Sequence, residues 1–297
     1  MRFVLAAALV WLSSAPMLHA QGRGGRGAAS PPTPKAMAPI DLTGYWTAVV
    51  TEDWHVRMLT PPKGDFGSGI AGTIENPGVG FIGAGPNPSD KGNIPYRAAA
   101  AQAAMKWDPA KDEAEGNACK GYGAAGIMRL PTHLHITWAD DNTMNVEADF
   151  GTQTRVFHFG PPADPGRLLY ENATLSPAPP QKFEPPPGVE PSWQGYSIAS
   201  WTVMGGPGTG FERGGSLKVV TSRMKPGYYW KNGMPYSANA VLTEYFRVME
   251  LPDRSQWIRL TQIAEDPENL TQPWIVNYAF KKLPDGSKWK PTPCTAK

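Results

Sequence analysis

The stretch that decides the fold is "LPTHLHITWADDNTMNVEADFGTQTRVFHF", residues 130 to 159. It reads as three short strands, "HLHITW", "NVEADF" and "TRVFHF", separated by "ADDN" and "GT". Polar and apolar residues alternate, and turn-forming residues lie between the runs, so the segment predicts an antiparallel meander. It also holds three of the five histidines in the chain, two of them spaced His133-x-His135. With "ADDN" and "GT" taken as simple turns, position 135 lies opposite 146, and 146 opposite 157. One face then carries His133, His135, Val146, Ala148, Arg155 and Phe157. The other carries Leu134, Ile136, Trp138, Asn145, Glu147, Val156 and His158. A slip of one residue at either turn would exchange the faces of a strand.

Outward from the meander, strand patterns dominate. "GYWTAVVTEDWHVRML" (44 to 59) and "LLYENATL" precede and follow it within the first half of the chain. "SIASWTV", "SLKVVTSRM", "VLTEYFRVM", "QWIRLTQIA" and "WIVNYAFKKL" form a second series at hairpin-like intervals. One helix is expected, in the Ala-rich "PYRAAAAQAAMKWDP" (95 to 109), ended by Asp108-Pro109. A Gly-rich insertion at 61 to 95 has no period and no strand–turn–helix phosphate motif. A Pro-rich bridge at 176 to 192 joins the two strand series. Each series alone has too few strands to close, so the two are read as halves of one barrel.

The ends and the composition bound the rest. Residues 1 to 20 read as a secretory signal: Arg2, then the apolar run Phe3 to Leu12, then Ala20 before the cut. Residues 21 to 39 read as a disordered Gly- and Pro-rich tether, and 40 to 297 as a single barrel domain. The protein is therefore expected in the periplasm or outside the cell, with no membrane span. Without Arg2 the chain has 27 basic and 26 acidic residues, a balance that argues against nucleic acid or an anionic membrane as partner. In an exported chain Cys119 and Cys294 are read as a disulfide that ties down the C-terminus, two unpaired thiols being the alternative.

"DLTGYW" (41 to 46) resembles the Gly-x-Trp opening of lipocalins, in which the Trp plugs one end of a β-barrel and a basic residue crosses it. "SWQGYSIASW", "GGSLKVVTSRM", "KNGMPYSANAVLTEYFRV" and "IAEDPENLTQPWIV" together resemble secreted bacterial lipocalin-like proteins over most of residues 41 to 283. The resemblance implies an all-β, lipocalin-like antiparallel barrel holding a small organic molecule, and it is nearly silent on chemistry. The insertion at 61 to 95 and the loop "TVMGGPGTGFERGG" (202 to 215) depart from the pattern.

The candidate site follows from the first face of the meander. Two imidazoles and a guanidinium among small and aromatic residues describe an apolar pocket with a few placed polar groups. His-x-His on a strand would suit zinc, with His55, Glu52 or Asp149 as third ligand. Arg155 on the same face would repel a cation, so no metal and no cofactor is expected. Two readings stay open. In the first, His133, Arg155, Phe157, Arg57, Tyr236 and Tyr245 line a site for a small hydrophobic or aromatic ligand. In the second, His135 or His55, with Glu244, moves protons in a cofactor-independent lyase, isomerase or hydrolase. Asp53, His55 and Arg57 share one face of the first strand, pointing either into the barrel or into solvent. Glu244, alternating against Tyr245 on its strand, is either a buried functional carboxylate or an outward residue.

Overall fold

The structure is a computed structural model that describes residues 32–49, 94–160, 184–206 and 211–296. Residues 1 to 20 that read as a signal, most of the expected tether, His55, Arg57, most of the 61 to 95 insertion and "LLYENATL" lie outside the described residues. The chain divides into Met1–Pro31 and Pro32–Lys297, and every described residue belongs to the second unit.

Eleven strands are described: β1 Gly44–Val49, β2 His133–Trp138, β3 Thr143–Ala148, β4 Gln153–Phe159, β5 Tyr196–Gly206, β6 Phe211–Ser222, β7 Gly227–Trp230, β8 Met234–Tyr236, β9 Val241–Glu250, β10 Gln256–Glu265 and β11 Trp274–Lys282. Nine close into a barrel in the order β1-β11-β10-β9-β6-β5-β4-β3-β2, while β7 and β8 form a separate hairpin. Period-2 alternation produces this wall. In β10, Ile258, Leu260, Gln262 and Ala264 are buried, and in β9, Leu242, Glu244 and Phe246 are. The two strand series meet at two seams. β1 pairs antiparallel with β11, from Trp46 opposite Lys282 to Val49 opposite Ala279. β4 pairs parallel with β5, Phe157 opposite Ser197 and Phe159 opposite Ala199. The barrel is thus mixed, not purely antiparallel. A parallel pair needs a crossover of about a dozen residues or more, and the long link from 160 to 195 meets that need.

The end of the barrel where β1 begins is closed by the segment leading into it. A short helix, α1 (Pro34–Met37), lies there, and its Pro34 carbonyl accepts from Trp201 Nε1 at 2.8 Å. Trp46 is fully buried and donates from Nε1 to the Leu42 carbonyl at 2.9 Å. Lys282 Nζ sits 5.1 Å from the Trp46 ring centroid. Gly44, at φ +103, gives the chain the left-handed turn that starts the strand.

A small cap covers the opposite end. It contains α2 (Ala98–Met105), α3 (Pro109–Ala114), a 3₁₀ turn (Ala118–Tyr122), α4 (Ala124–Ile127) and the β7–β8 hairpin. Its core of Ala104, Met224, Tyr229, Trp230, Met234 and Tyr236 is continuous with Leu242, Ala264 and Trp274 of the barrel. Four short α-helices are therefore described where one was expected. The Ala-rich run ends at Met105. Asp108 then N-caps α3 by accepting from Ala110 N at 3.0 Å, with Pro109 in the first turn. The hairpin turns at Gly233, φ +87, where a Cβ would lie 2.2 Å from Trp107. Among the described residues no helix is long and apolar enough to cross a membrane.

From Leu283 the C-terminal segment runs back along the outside of β1 and β2. Leu283 N donates to Tyr45 O, Lys290 N to the Asp149 carboxylate and Thr292 N to Asp149 O. The segment ends in the Cys119–Cys294 disulfide, with Cα atoms 5.1 Å apart.

Candidate functional site

The two turns of the meander decide which side chains enter the barrel. Trp138 pairs with Met144, so the first loop is Ala139–Thr143, one residue longer than "ADDN". Asn142 N donates to Asp140 Oδ1 at 2.7 Å and Ala139 N to Thr143 O at 2.9 Å, which draws Thr143 into the turn. His135 therefore stands opposite Glu147, not Val146. The odd slip reverses β2: Leu134 and Ile136 point inward, and His133 and His135 point outward. At the second turn Val146 pairs with Arg155, two positions from the expected register. An even shift preserves the face, so Val146, Ala148, Arg155 and Phe157 share the interior. The expected grouping of the two histidines with Arg155 is corrected accordingly.

Inside, Arg155 reaches across the barrel. It and Glu244 are essentially without exposed surface, at 1% and 0%. Arg155 Nη1 donates to Glu244 Oε1 at 2.9 Å and Nη2 to Oε2 at 2.5 Å, a two-pronged clamp. Nη2 also donates to Thr221 Oγ1 at 3.1 Å, which is hydrogen-bonded to Ser197 Oγ at 2.7 Å. Gln262 Nε2 donates to Glu244 Oε1 at 3.2 Å. Five barrel strands, β4, β5, β6, β9 and β10, contribute one polar residue each. The guanidinium carbon lies 5.0 Å from the Phe157 ring centroid, and Phe157 packs against Phe246 at 5.7 Å. Two buried atoms of this network, Arg155 Nε and Gln262 Oε1, have no hydrogen-bond partner. Burying an unsatisfied donor or acceptor costs about 1–3 kcal/mol each, so their pairing is an unmet demand of the interior.

On the outer face of the meander, two histidine–carboxylate pairs link β2 to β3 and to Asp149 just beyond it. His133 Nδ1 lies 2.7 Å from Asp149 Oδ2, and His135 Nδ1 lies 2.8 Å from Glu147 Oε2. Asp149 is buried and accepts also from His133 N at 2.7 Å, Thr132 Oγ1 at 3.1 Å and Lys290 N at 3.1 Å. It fastens the C-terminal segment to the wall. His135 stacks on Tyr45, centroids 4.2 Å apart and planes within 7°, and meets Trp289 edge-on at 6.0 Å. His158 also faces outward and stacks on Tyr196 at 4.5 Å. Burial lowers its imidazole below the ordinary 6.5, with the Asp140 carboxylate acting in the opposite direction.

Of the remaining candidates, Tyr245 lies on the outer face of β9, its ring 5.8 Å from Lys218 Nζ, away from the interior network. Tyr236 is buried in the cap, where burial pushes its phenol well above the ordinary value and its hydroxyl has no partner. Ser197, Thr221 and Gln262 were not singled out from the sequence. Their signal was present: each continues the inward alternation of its strand, as Gln262 does after Ile258 and Leu260. Among the described residues no group of three His, Cys, Asp or Glu side chains is placed to hold a metal ion.

No protein-family model, curated protein or solved structure matches this chain. Its chemistry has to be read from the barrel itself. Among the described residues, the barrel interior is an apolar wall crossed by a polar network of a guanidinium, a carboxylate, an amide and two hydroxyls.

Proposed function

We propose that the protein is an exported, lipocalin-like barrel that binds a small hydrophobic or aromatic organic molecule. The carrying observation is the pair of unpartnered buried atoms, Arg155 Nε and Gln262 Oε1, within a closed and otherwise mainly apolar wall. Ligand sites of this kind pair a large apolar surface with a few polar groups that fix orientation. Trp46 at one end of the barrel with Lys282 over its ring supports the lipocalin-like reading. The signal-like residues 1 to 20 and the Cys119–Cys294 bridge support export. A proton carrier inside the barrel is not supplied by His135, whose ring is stacked on Tyr45 at the outer face, so the acid–base alternative gains no support from it.

The test is a thermal-shift screen of the mature protein against terpenoid, steroid and aromatic compounds. A binder present at a hundredfold over its Kd stabilises the folded state by about 2.7 kcal/mol, which raises Tm by several degrees. Arg155→Met should abolish the shift while leaving a folded barrel by circular dichroism. A screen in which no compound moves Tm or tryptophan fluorescence would refute the binding role.

A further inference from the structure

Resting on the binding reading above, we propose that the ligand of the Arg155–Glu244 site is uncharged and offers a carbonyl oxygen together with an N–H or O–H, as an amide, lactam or hydroxyketone does. The charge count inside the network carries this. Arg155 is the one cation and Glu244 the one anion, and the carboxylate already occupies both terminal nitrogens of the guanidinium. Gln262, Thr221 and Ser197 add no charge. The site is therefore neutral before any ligand arrives. A carboxylate entering it would stand beside Glu244 in a medium that screens poorly, with no free guanidinium edge to receive it as a two-pronged partner. An amine would face the same problem against Arg155.

What remains unsatisfied is one donor and one acceptor. Arg155 Nε–H has no acceptor and Gln262 Oε1 has no donor. The orientation of the Gln262 amide is set by its neighbour, since only the NH₂ end can face the Glu244 carboxylate. Both residues bond the same carboxylate, so the vacant donor and acceptor belong to one cluster and suit a single small functional group. Val276, the inward residue paired with Gln262, keeps partial exposure, as does inward-facing Ala48 on β1. The apolar remainder of the ligand would lie against Phe157 and its neighbours.

The experiment compares matched pairs that share an apolar skeleton, beginning with 2-naphthamide and 2-naphthoate, at pH 7.5 by titration of the mature protein. The amide should bind at least about tenfold more tightly than the acid, a difference of 1.4 kcal/mol. Glu244→Gln leaves Arg155 uncompensated and should reverse the order in favour of the acid. The paired variant Arg155→Met/Glu244→Met restores neutrality without the network, and its preference should vanish; it serves where the single variant does not fold. An acid that binds the wild-type protein as well as its amide overturns the neutral-ligand inference and leaves the binding role standing. A series in which no amide, lactam, hydroxyketone or acid binds at all overturns both.

Discussion

The two sides of the β2–β4 wall hold the same kinds of group for opposite ends. Arg155 and Glu244 meet inside, with no exposed surface and three neutral partners around them. His135 and Glu147 meet outside, a quarter to two fifths exposed, with an aromatic pair for company. Inside, a charge has only the partners that the fold supplies, so the network constrains how the strands around it pack. Outside, water solvates what the partner does not, and the pair is a fastening among several. One residue of register, the insertion of Thr143 into the first turn, decides which side the histidines occupy.

Breaking one ion pair on each side should expose that contrast most strongly. Glu244→Gln or Arg155→Met leaves a buried charge without its partner and should lower unfolding free energy by about 3–5 kcal/mol. Replacing both with Met should recover most of the loss, because the penalty lies in the unpaired charge. Glu147→Gln on the outer face should cost under about 1 kcal/mol, since exposed pairs are weak. Urea unfolding of the four variants measures this, and equal losses from Glu244→Gln and Glu147→Gln would erase the distinction drawn between the two faces.

The same residue of register also shows how much was legible. Strand alternation located β2 to β6 and β9 to β11 and suggested one barrel from two series, because inward apolar residues repeat every second position whatever the partner strand. The face of β3 and β4 could be read as well, since an error of two residues at Gly151–Thr152 leaves parity intact. The face of β2 could not. Whether a turn holds four residues or five depends on hydrogen bonds such as Asn142 N to Asp140 Oδ1, which composition does not encode. Arg155, Phe157 and Glu244 were recognisable as candidates, yet their partnership was not. It joins β4 to β9 across the barrel interior, and no local pattern reports a contact 89 residues apart. Of the cap, only the Ala-rich α2 was legible, and the rest escaped for a different reason. Its other helices are only four to six residues long and too brief to show a period, and the hairpin Gly227–Tyr236 depends on Gly233 packing against Trp107.

The disulfide sharpens the comparison from the outer side. The C-terminal segment is held by backbone bonds to Asp149 and by the Cys119–Cys294 link, whereas the hydrogen bonds of the interior network run among β4, β5, β6, β9 and β10. Cys119→Ala/Cys294→Ala should lower stability by about 2–4 kcal/mol, mostly through the freed unfolded chain. The local signature matters more than the total. Amides of Lys290 and Thr292 should exchange with solvent much faster in the variant, while those of β9 and β10 should slow or quicken only with global stability. Uniform acceleration across β9, β10 and residues 290 to 292 would mean that the segment and the barrel open as one.

The smallest effect concerns His158, a partly buried imidazole of the outer face whose burial outweighs the opposing pull of the Asp140 carboxylate. Burial against Tyr196 holds it below 6.5, the direction opposite to that of a histidine gaining an acidic partner. The folded protein therefore binds fewer protons here than the unfolded chain does. Its contribution is fully present above pH 6.5 and is lost as pH falls through 6.5 toward the folded value. His158→Phe keeps an aromatic ring over Tyr196 and removes the titration. Between pH 7.5 and 5.5 the urea midpoint of the wild type should fall further than that of the variant, by a modest margin because the ring is still partly hydrated. Equal falls would mean that the unfolded chain and the folded wall present the same environment to this imidazole, and the stacking on Tyr196 would then be a packing contact without electrostatic consequence.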